Sequence, residues 1–218
     1  MKYGKIVGNQ SINRCIYRCF ECIDDADVKK FVKKFRDQQH HEEQIMHTFR
    51  ELVLGAFLGA NHLKVRHDYN LSGQTPDWCI FDDESKLKCI IELVNFHIDK
   101  RTQDRIESQM RDKGIATYFI SNDERLYHKI WDKACTYKSL AQDLNLAYVV
   151  AVFGTFQADV EVNEIRKCLF EEEKGLFKLY PVMSGLLFFT TFSGEHPFVY
   201  IQNPDAPKKV DLPQGIFR

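Results

Sequence analysis

Apolar residues recur along the chain at two spacings, one typical of helices and one typical of strands. In the first part they recur every three or four positions, which predicts helices over residues 25–37 and from about His40 to Ala60. The second helix contains the stretch 52–58, which is apolar on every side and therefore indicates a helix buried in the interior.

Three short extended segments follow in succession. Alternating or continuous apolar residues predict strands over residues 63–69, 77–81 and 87–96, with polar turns between them. The third contains the run 89–94, which is too apolar for a strand with one exposed face, so we expect it in the centre of a sheet. No helical pattern separates the three segments, which predicts a meander.

The second half of the chain alternates between helical and extended patterns. Two strands at its end would form a pair joined at Ser193-Gly194, and prolines mark the tail as irregular. The predicted helices are 99–113, 121–145 and 162–170, and the predicted strands are 115–120, 148–153, 186–192 and 198–201. A capping box at Ser121–Glu124 marks the start of the second of these helices, which runs to about Asn145.

The order of these elements predicts the fold class. A meander followed by a strand that is reached through a helix gives an α/β fold, with a central mixed sheet flanked by helices. No repeat or linker interrupts the chain, so we expect one domain over residues 1–218. Within it we expect an N-terminal helical extension over 1–38, a core over 39–155, and a C-terminal helix and strand pair over 156–218.

Composition excludes several classes of protein. An apolar content of 44% over 218 residues suits a globular domain, and no apolar run approaches the roughly 20 residues that a membrane span needs. Seven cysteines are an odd number without a disulfide spacing, which favours reduced thiols. We therefore expect a soluble, cytoplasmic protein without a membrane partner.

Charge and patterning bear on the partners. The net charge of −1 lacks the basic excess of many nucleic-acid-binding domains, so such binding would depend on local basic patches in residues 29–36 and 100–113. Each patch is also compatible with an ordinary solvated helix face. The apolar run 186–192 either extends the sheet or forms the face of a homodimer.

Two acidic residues stand where carboxylates are costly. Asp77 begins the second strand directly after Pro76, and Glu92 lies in the middle of the apolar third strand. A buried carboxylate is normally paired, hydrogen-bonded or bound to a metal. If the two strands form a hairpin, Asp77 and Glu92 lie opposite each other with their Cβ atoms about 5 Å apart. That placement would let two carboxylates share one divalent cation.

Pro76-Asp77, a hairpin and then Glu92 in an apolar strand resemble the PD-(D/E)xK signature of restriction endonuclease-like nucleases. The resemblance extends over roughly residues 40–155 and implies a restriction endonuclease-like core. It also implies that Mg²⁺ or Mn²⁺ is bound by Asp77, Glu92 and the Leu93 carbonyl. The implied activity is the hydrolysis of phosphodiester bonds in nucleic acid, in DNA more than in RNA.

The same resemblance implies a third carboxylate. The family tends to place a glutamate on the helix before the first strand, with apolar residues three and seven positions later, and Glu51 has Leu54 and Leu58 there. Glu51 is therefore a candidate catalytic residue. The alternative is a helix-surface glutamate paired with Arg50 or with a nearby histidine.

The chain departs from the signature at Val94, where the family has a lysine. Some members of the superfamily supply this lysine from a neighbouring helix. Lys133 lies inside the apolar stripe of the helix that follows residue 124, so we expect it to replace the missing lysine, with Tyr137 beside the phosphate. The alternative is that Lys133 extends past the edge of the core to solvent. The other candidate contacts to nucleic acid are Lys138, the reserve lysine, and Asn95, Lys100 and Arg101.

Two other interpretations remain. Because Val94 removes the usual lysine, the domain could be a catalytically inactive module that binds nucleic acid or protein. The spacing of Cys15, Cys19 and Cys22 is also that of the iron–sulfur ligands in radical S-adenosylmethionine enzymes, and a zinc site that adds His40 or His41 would use the same thiols. Packing as small apolar side chains is the third interpretation of these cysteines, and the one we favour.

Overall fold

The computed structural model describes residues 5–96, 100–113, 123–155 and 160–218. The predicted strand over 115–120 and the start of the predicted capping box lie outside the described residues. The side chains of Lys100 and Arg101 are also outside the description.

Helices and strands alternate along the chain much as the apolar pattern predicts. The helices are α1 (Gln10–Phe20), α2 (Asp25–Asp37), α3 (Glu42–Ala60), α4 (Lys100–Lys113), α5 (Asp123–Thr136), α6 (Lys138–Asp143), α7 (Val162–Phe170) and α8 (Leu176–Leu179). The strands are β1 (Lys64–His67), β2 (Trp78–Phe81), β3 (Leu87–Phe96), β4 (Ala147–Gly154), β5 (Met183–Phe189), β6 (His196–Gln202) and β7 (Gly215–Phe217).

In the part of the chain that the structure describes, seven strands form one sheet in their sequence order, from β1 to β7. β3, β4 and β5 are parallel to one another, and the remaining neighbours pair antiparallel. The meander β1–β2–β3 and the mixed character of the sheet are therefore confirmed. The parallel strands at the centre are buried on both faces, which explains their almost continuous apolar sequences.

The two faces of the sheet carry separate apolar cores. Side chains alternate along β3, so that Cys89, Ile91 and Leu93 pack with α1, α2 and α3, whereas Ile90 and Val94 pack with α5, α6 and α7. The expected flanking of the sheet by helices on both sides is confirmed. Any polar side chain on the second face of β3, such as Glu92, must therefore meet α5.

Helix α3 lies inside the molecule, as its uniformly apolar second half predicts. All residues from Leu52 to Leu58 are buried, because the sheet covers one side of the helix and α1 and α2 cover the other. The ring of Phe57 stacks on that of Phe198, with centroids 3.7 Å apart. Helices α1 and α2, within the predicted N-terminal helical extension, share this core with α3.

Three details differ from the sequence-based expectation. The long helix predicted up to Asn145 is interrupted at Tyr137, and β7 and α8 were not predicted. The run 186–192, considered as a dimer face, lies largely within β5, whose residues are all buried in the sheet. A homodimer therefore stays a prediction without support from this run. In the described ranges no helix is long and apolar enough to cross a membrane.

Candidate functional site

Asp77 and Glu92 lie side by side where β2 and β3 meet. The antiparallel register places Trp78 opposite Ile91, and the two carboxylates are the next residues on each strand. The backbone N–H of Asp77 donates to Glu92 Oε1 at 3.0 Å, and the backbone N–H of Leu93 donates to Asp77 Oδ2 at 2.7 Å. The predicted position of the carboxylates opposite each other is therefore confirmed, and their catalytic role stays a prediction.

Lys133 reaches this pair from α5. Glu92 is only 3% exposed, and Lys133 Nζ lies 2.7 Å from Glu92 Oε2, while the lysine side chain keeps 35% of its exposure. The hydroxyl of Tyr148 in β4 donates to the backbone carbonyl of Lys133, which ties this turn of α5 to the sheet. The ammonium group thus lies beside the carboxylates with one side open to solvent.

Tyr137 is a second residue from this side of the sheet that lies close to Glu92. It stands between α5 and α6, and its side chain is buried. Burial and the Glu92 charge raise the pKa of Tyr137 above its usual range, so this hydroxyl stays a hydrogen-bond donor at neutral pH. Glu92 thus raises the pKa of both Lys133 and Tyr137, whose role beside a phosphate stays a prediction.

Glu51 is held near Asp77 through Trp78. The Trp78 indole N–H donates to the backbone carbonyl of Glu51 at 2.9 Å. One turn further along α3, a Cβ on Gly55 would lie 1.8 Å from the Trp78 ring, so only glycine lets helix and ring approach this closely. Trp78, the residue that follows Asp77, therefore determines the position of Glu51 relative to Asp77.

Glu51 is 4% exposed, and three side chains contact its carboxylate. His47 Nε2 lies 2.8 Å from Oε1, whereas Lys34 Nζ and His67 Nε2 each lie 3.3 Å from Oε2. Lys34 also contacts Asp68 at 3.0 Å. Glu51 is therefore a buried residue and not a surface one, although the expected histidine partner is present.

The acidic residues influence each other's ionisation. Burial, followed by the charges of Glu92 and Glu51, raises the pKa of Asp77 to about 7. Burial also opposes the charge on Glu51, but the hydrogen bonds from His47 and His67 outweigh it and hold the Glu51 pKa below its ordinary value. Of these two carboxyl groups, Asp77 therefore takes up a proton at the higher pH.

The cation at Lys133 completes this electrostatic arrangement. Burial disfavours the ammonium form, but the nearby charges of Glu92, Asp77 and Glu51 outweigh burial and raise the Lys133 pKa. Lys133 therefore stays a cation beside the carboxylates at neutral pH.

The donors present can be tested against the divalent ion that the resemblance implies. Among the described residues, no three His, Cys, Asp or Glu side chains are close enough to hold a metal by themselves. Mg²⁺ commonly uses only one or two carboxylates and completes its coordination with water and substrate phosphate. Asp77 and Glu92 suit that mode, because their repulsion would be relieved by a cation.

Leu93 and Val94 complete the comparison with the nuclease signature. The N–H of Leu93 points to Asp77, and the N–H and C=O of a strand residue point to the same edge. The Leu93 carbonyl is thus directed toward the side where β2 begins, as a backbone ligand requires. Val94 is buried against α5, so the signature's lysine position is occupied by an apolar core residue.

The remaining predicted contact residues have separate positions. Asn95 Oδ1 accepts from Arg50 Nη1 at 3.3 Å, and its amide also contacts His47. The Lys138 ammonium lies 5.6 Å from the centroid of the Tyr180 ring, and no described contact joins it to the carboxylates. The two predicted residues on α4, Lys100 and Arg101, lack described side chains.

Sequence reasoning missed three members of the Glu51 cluster. His67 follows the alternation of β1 into the core and is fully buried, which is an unusual place for an imidazole. His47 precedes Glu51 by one helical turn, a spacing at which side chains meet. Both signals were available in the sequence, whereas the approach of Lys34 from α2 depends on tertiary packing.

The cysteines near the N-terminus lie in the core beside the sheet. Cys15 and Cys19 are buried on α1, and Cys22 follows the end of that helix. The described residues contain no cluster of three or more metal-binding side chains, around these thiols or elsewhere. Cys15 and Cys19 thus belong to the first apolar core, as the favoured interpretation expects, although Cys15 also contacts His196.

The chain matches no family model, no curated protein and no solved structure with which it was compared. The site is therefore interpreted from its own geometry.

Proposed function

We propose that the protein is a divalent-metal-dependent nuclease that hydrolyses phosphodiester bonds, in DNA more than in RNA. The observation that carries the proposal is the contact of Lys133 with Glu92 beside Asp77. A carboxylate pair beside a partly exposed ammonium group offers a place for a cation and a place for a phosphate. In the PD-(D/E)xK signature the ammonium group of this combination comes from the strand lysine, whose position is Val94 in this chain.

Each side chain has a distinct role in this proposal. Asp77, Glu92 and the Leu93 carbonyl hold Mg²⁺ or Mn²⁺, which when bound lowers the pKa of a water ligand and stabilises charge on the phosphate. Lys133 neutralises the developing negative charge and orients the attacking water. Glu51, fixed by His47 and Lys34, adds negative charge that strengthens cation binding.

Contacts to the nucleic acid belong to the same proposal. Tyr137, at the break between α5 and α6, lies close enough to Glu92 for the carboxylate charge to raise its pKa, and it would contact the scissile strand. Asn95 on β3, which is hydrogen-bonded to Arg50 and contacts His47, would contact the same strand. Lys138, Lys100 and Arg101 would contact more distant phosphates. The net charge of −1 implies that binding depends on these local groups and weakens as salt increases.

Cleavage assays with matched variants test the proposal. Plasmid DNA, single-stranded DNA and RNA are incubated with Mn²⁺ or with Mg²⁺, each time with wild type, Asp77→Ala or Lys133→Ala. We expect each variant to lose about 100-fold or more of the activity, because each removes charge stabilisation at the phosphate. Lys129→Ala, an exposed lysine one turn before Lys133, is the matched control and should cleave like wild type.

Two outcomes of this assay would reject the nuclease proposal. Equal cleavage by wild type and Asp77→Ala would identify a contaminating nuclease. Absence of cleavage in Mn²⁺ and Mg²⁺ with all three substrates would leave the second candidate, an inactive nuclease-like module. The burial of Val94 at the position of the signature's lysine favours that candidate. Fluorescence anisotropy with a labelled oligonucleotide would then show binding without cleavage.

A further inference from the structure

Cys15, His196 and Thr191 form a second polar cluster, outside the carboxylate site. Cys15 on α1 places its Sγ 3.9 Å from Nε2 of His196, the first residue of β6. On the other side of the imidazole, Thr191 Oγ1 lies 3.0 Å from Nδ1. A thiol, an imidazole and a third group that orients the imidazole is the arrangement that activates cysteine nucleophiles.

The surroundings of Cys15 favour its thiolate form. A hydrogen bond from Cys19 is the largest influence, and together with His196 and Arg18 it outweighs burial, so that the pKa of Cys15 lies well below its usual range. Glu195, the acidic neighbour of His196 in sequence, is paired with Arg218 at 2.9 Å.

Cys15 also lines a cavity of about 680 Å³ between α1, α3 and the start of β6. Cys15 is 5% exposed, and its side chain borders this cavity. Apolar walls come from Ile12 and Phe49, whereas Arg14 and Arg18 add two guanidinium groups. Such a cavity suits a small molecule with an apolar body and a carboxylate.

We propose that Cys15 and His196 form a thiol-exchange site that captures low-molecular-weight disulfides carrying carboxylates. The Cys15 thiol gives its proton to His196, and the thiolate attacks one sulfur of the bound disulfide. A new S–S bond joins Cys15 to that half, the original S–S bond breaks, and the other half leaves as a thiolate that takes the proton from His196. The carboxylates pair with Arg14 and Arg18.

Cys19 does not complete the exchange. It is fully buried, and burial together with the neighbouring Cys15 raises its pKa well above the usual value, so its thiol stays protonated. Because only the thiolate attacks a disulfide, the mixed disulfide on Cys15 persists. The product is therefore one small molecule bound per chain, without an internal Cys15–Cys19 bridge.

Site-resolved mass spectrometry of the full chain tests the thiolate. Iodoacetamide is applied in short pulses from pH 5 to pH 8, and alkylation of Cys15 is compared with that of Cys135, which is exposed on α5. We expect Cys15 to react at least about tenfold faster at pH 6, with a rate that changes little with pH. The variant His196→Gln is first checked by thermal melting to be folded. In this variant the rate of Cys15 alkylation should rise with pH.

The ligand class is tested with two disulfides of opposite charge. Oxidised glutathione should add one mixed disulfide to Cys15 several-fold faster than the cationic disulfide cystamine does, and Arg14→Ala should reduce that preference. Equal rates for the two disulfides would overturn the ligand class. A wild-type protein in which Cys15 reacts more slowly than Cys135 at every pH would overturn the site itself, whatever the behaviour of the variants.

Discussion

Burial and the charges of Glu92 and Glu51 both oppose the ionisation of Asp77. The carboxyl group is half-buried, and one of its oxygens is already committed to the N–H of Leu93. A residue that only stabilised the fold would gain from being an amide at this position. The ionised Asp77 therefore destabilises the fold locally unless a cation or a proton compensates its negative charge.

This cost predicts a pH-dependent effect of Asp77→Asn. An unfolded aspartate titrates near pH 4, whereas the folded one holds its proton up to about pH 7. Between these values the folded state binds more protons, so the contribution of Asp77 to stability is complete below about pH 4 and is lost as the pH rises through 7. We expect the variant to be more stable than wild type by about 2 kcal/mol at pH 8 and equally stable at pH 4.

Urea unfolding without divalent ions at both pH values measures this difference. Asp83→Asn, which removes a fully exposed carboxylate from the turn between β2 and β3, is the matched control and should change little at either pH. Equal stability of wild type and Asp77→Asn at pH 8 would contradict the raised pKa. Under the proposed function, added Mn²⁺ should stabilise wild type at pH 8 and leave Asp77→Asn unchanged.

Between elements, the contact of α3 with β2 determines the geometry of the site. Trp78 is completely buried between helix and sheet, its indole N–H bonds to the Glu51 carbonyl, and its ring lies against Gly55. Apolar patterning predicts both elements. The distance between α3 and β2 depends on Gly55 and the Trp78 ring. The sequence does not indicate which residue a glycine within an apolar helical stretch will face.

A substitution at Gly55 should therefore disturb the fold and the site together. In Gly55→Ala the new methyl group would overlap the Trp78 ring, and we expect a loss of about 2–3 kcal/mol in the free energy of unfolding. Gly8→Ala is the matched control, because a Cβ there meets open space, and it should be neutral or slightly stabilising. Urea denaturation of both variants measures the difference.

An equal effect of the two glycine substitutions would contradict the close approach of α3 and β2. The double variant Gly55→Ala with Trp78→Phe offers a second check. The smaller ring leaves room for the methyl group, so part of the lost stability should return, although the hydrogen bond to Glu51 is absent. Failure of the double variant to improve on Gly55→Ala would locate the strain elsewhere.

In the molecule as a whole, the layered arrangement concentrates stability in the central parallel strands. β3, β4 and β5 have a neighbour on each side and an apolar core on each face, whereas β1 and β7 are at the edges of the sheet. Regions with many buried contacts open only with the global unfolding, and edges open locally. The carboxylate pair lies where β2 meets this stable centre.

Hydrogen exchange should reproduce this gradient. We expect the backbone amides of β4 to exchange most slowly, at the rate of global unfolding, and those of β1 and β7 to exchange at least about tenfold faster, because partial opening exposes an edge at lower free energy. Native-state exchange followed by mass spectrometry or NMR measures the rates. Protection of β7 equal to that of β4 would contradict the assignment of the centre and the edges.

The amino-acid sequence by itself determined most of the elements and the unusual carboxylates. The periods of apolar residues indicated α2, α3, β3 and α7 at or near their observed ends, since each buries a continuous stripe or run. Glu92 stood out because a charge within an apolar strand requires a partner. Lys133 stood out because it lies inside an apolar helical stripe, and the two residues prove to be each other's partners.

Only the tertiary structure decided which distant polar groups join the site. Lys34, His47 and His67 come from α2, α3 and β1, and they meet at Glu51 because these elements pack on one face of the sheet. Local patterns record which face a residue occupies, not which residue lies opposite it across a layer. The same limit applies to Cys15 and His196, which the packing of α1 on the sheet brings together.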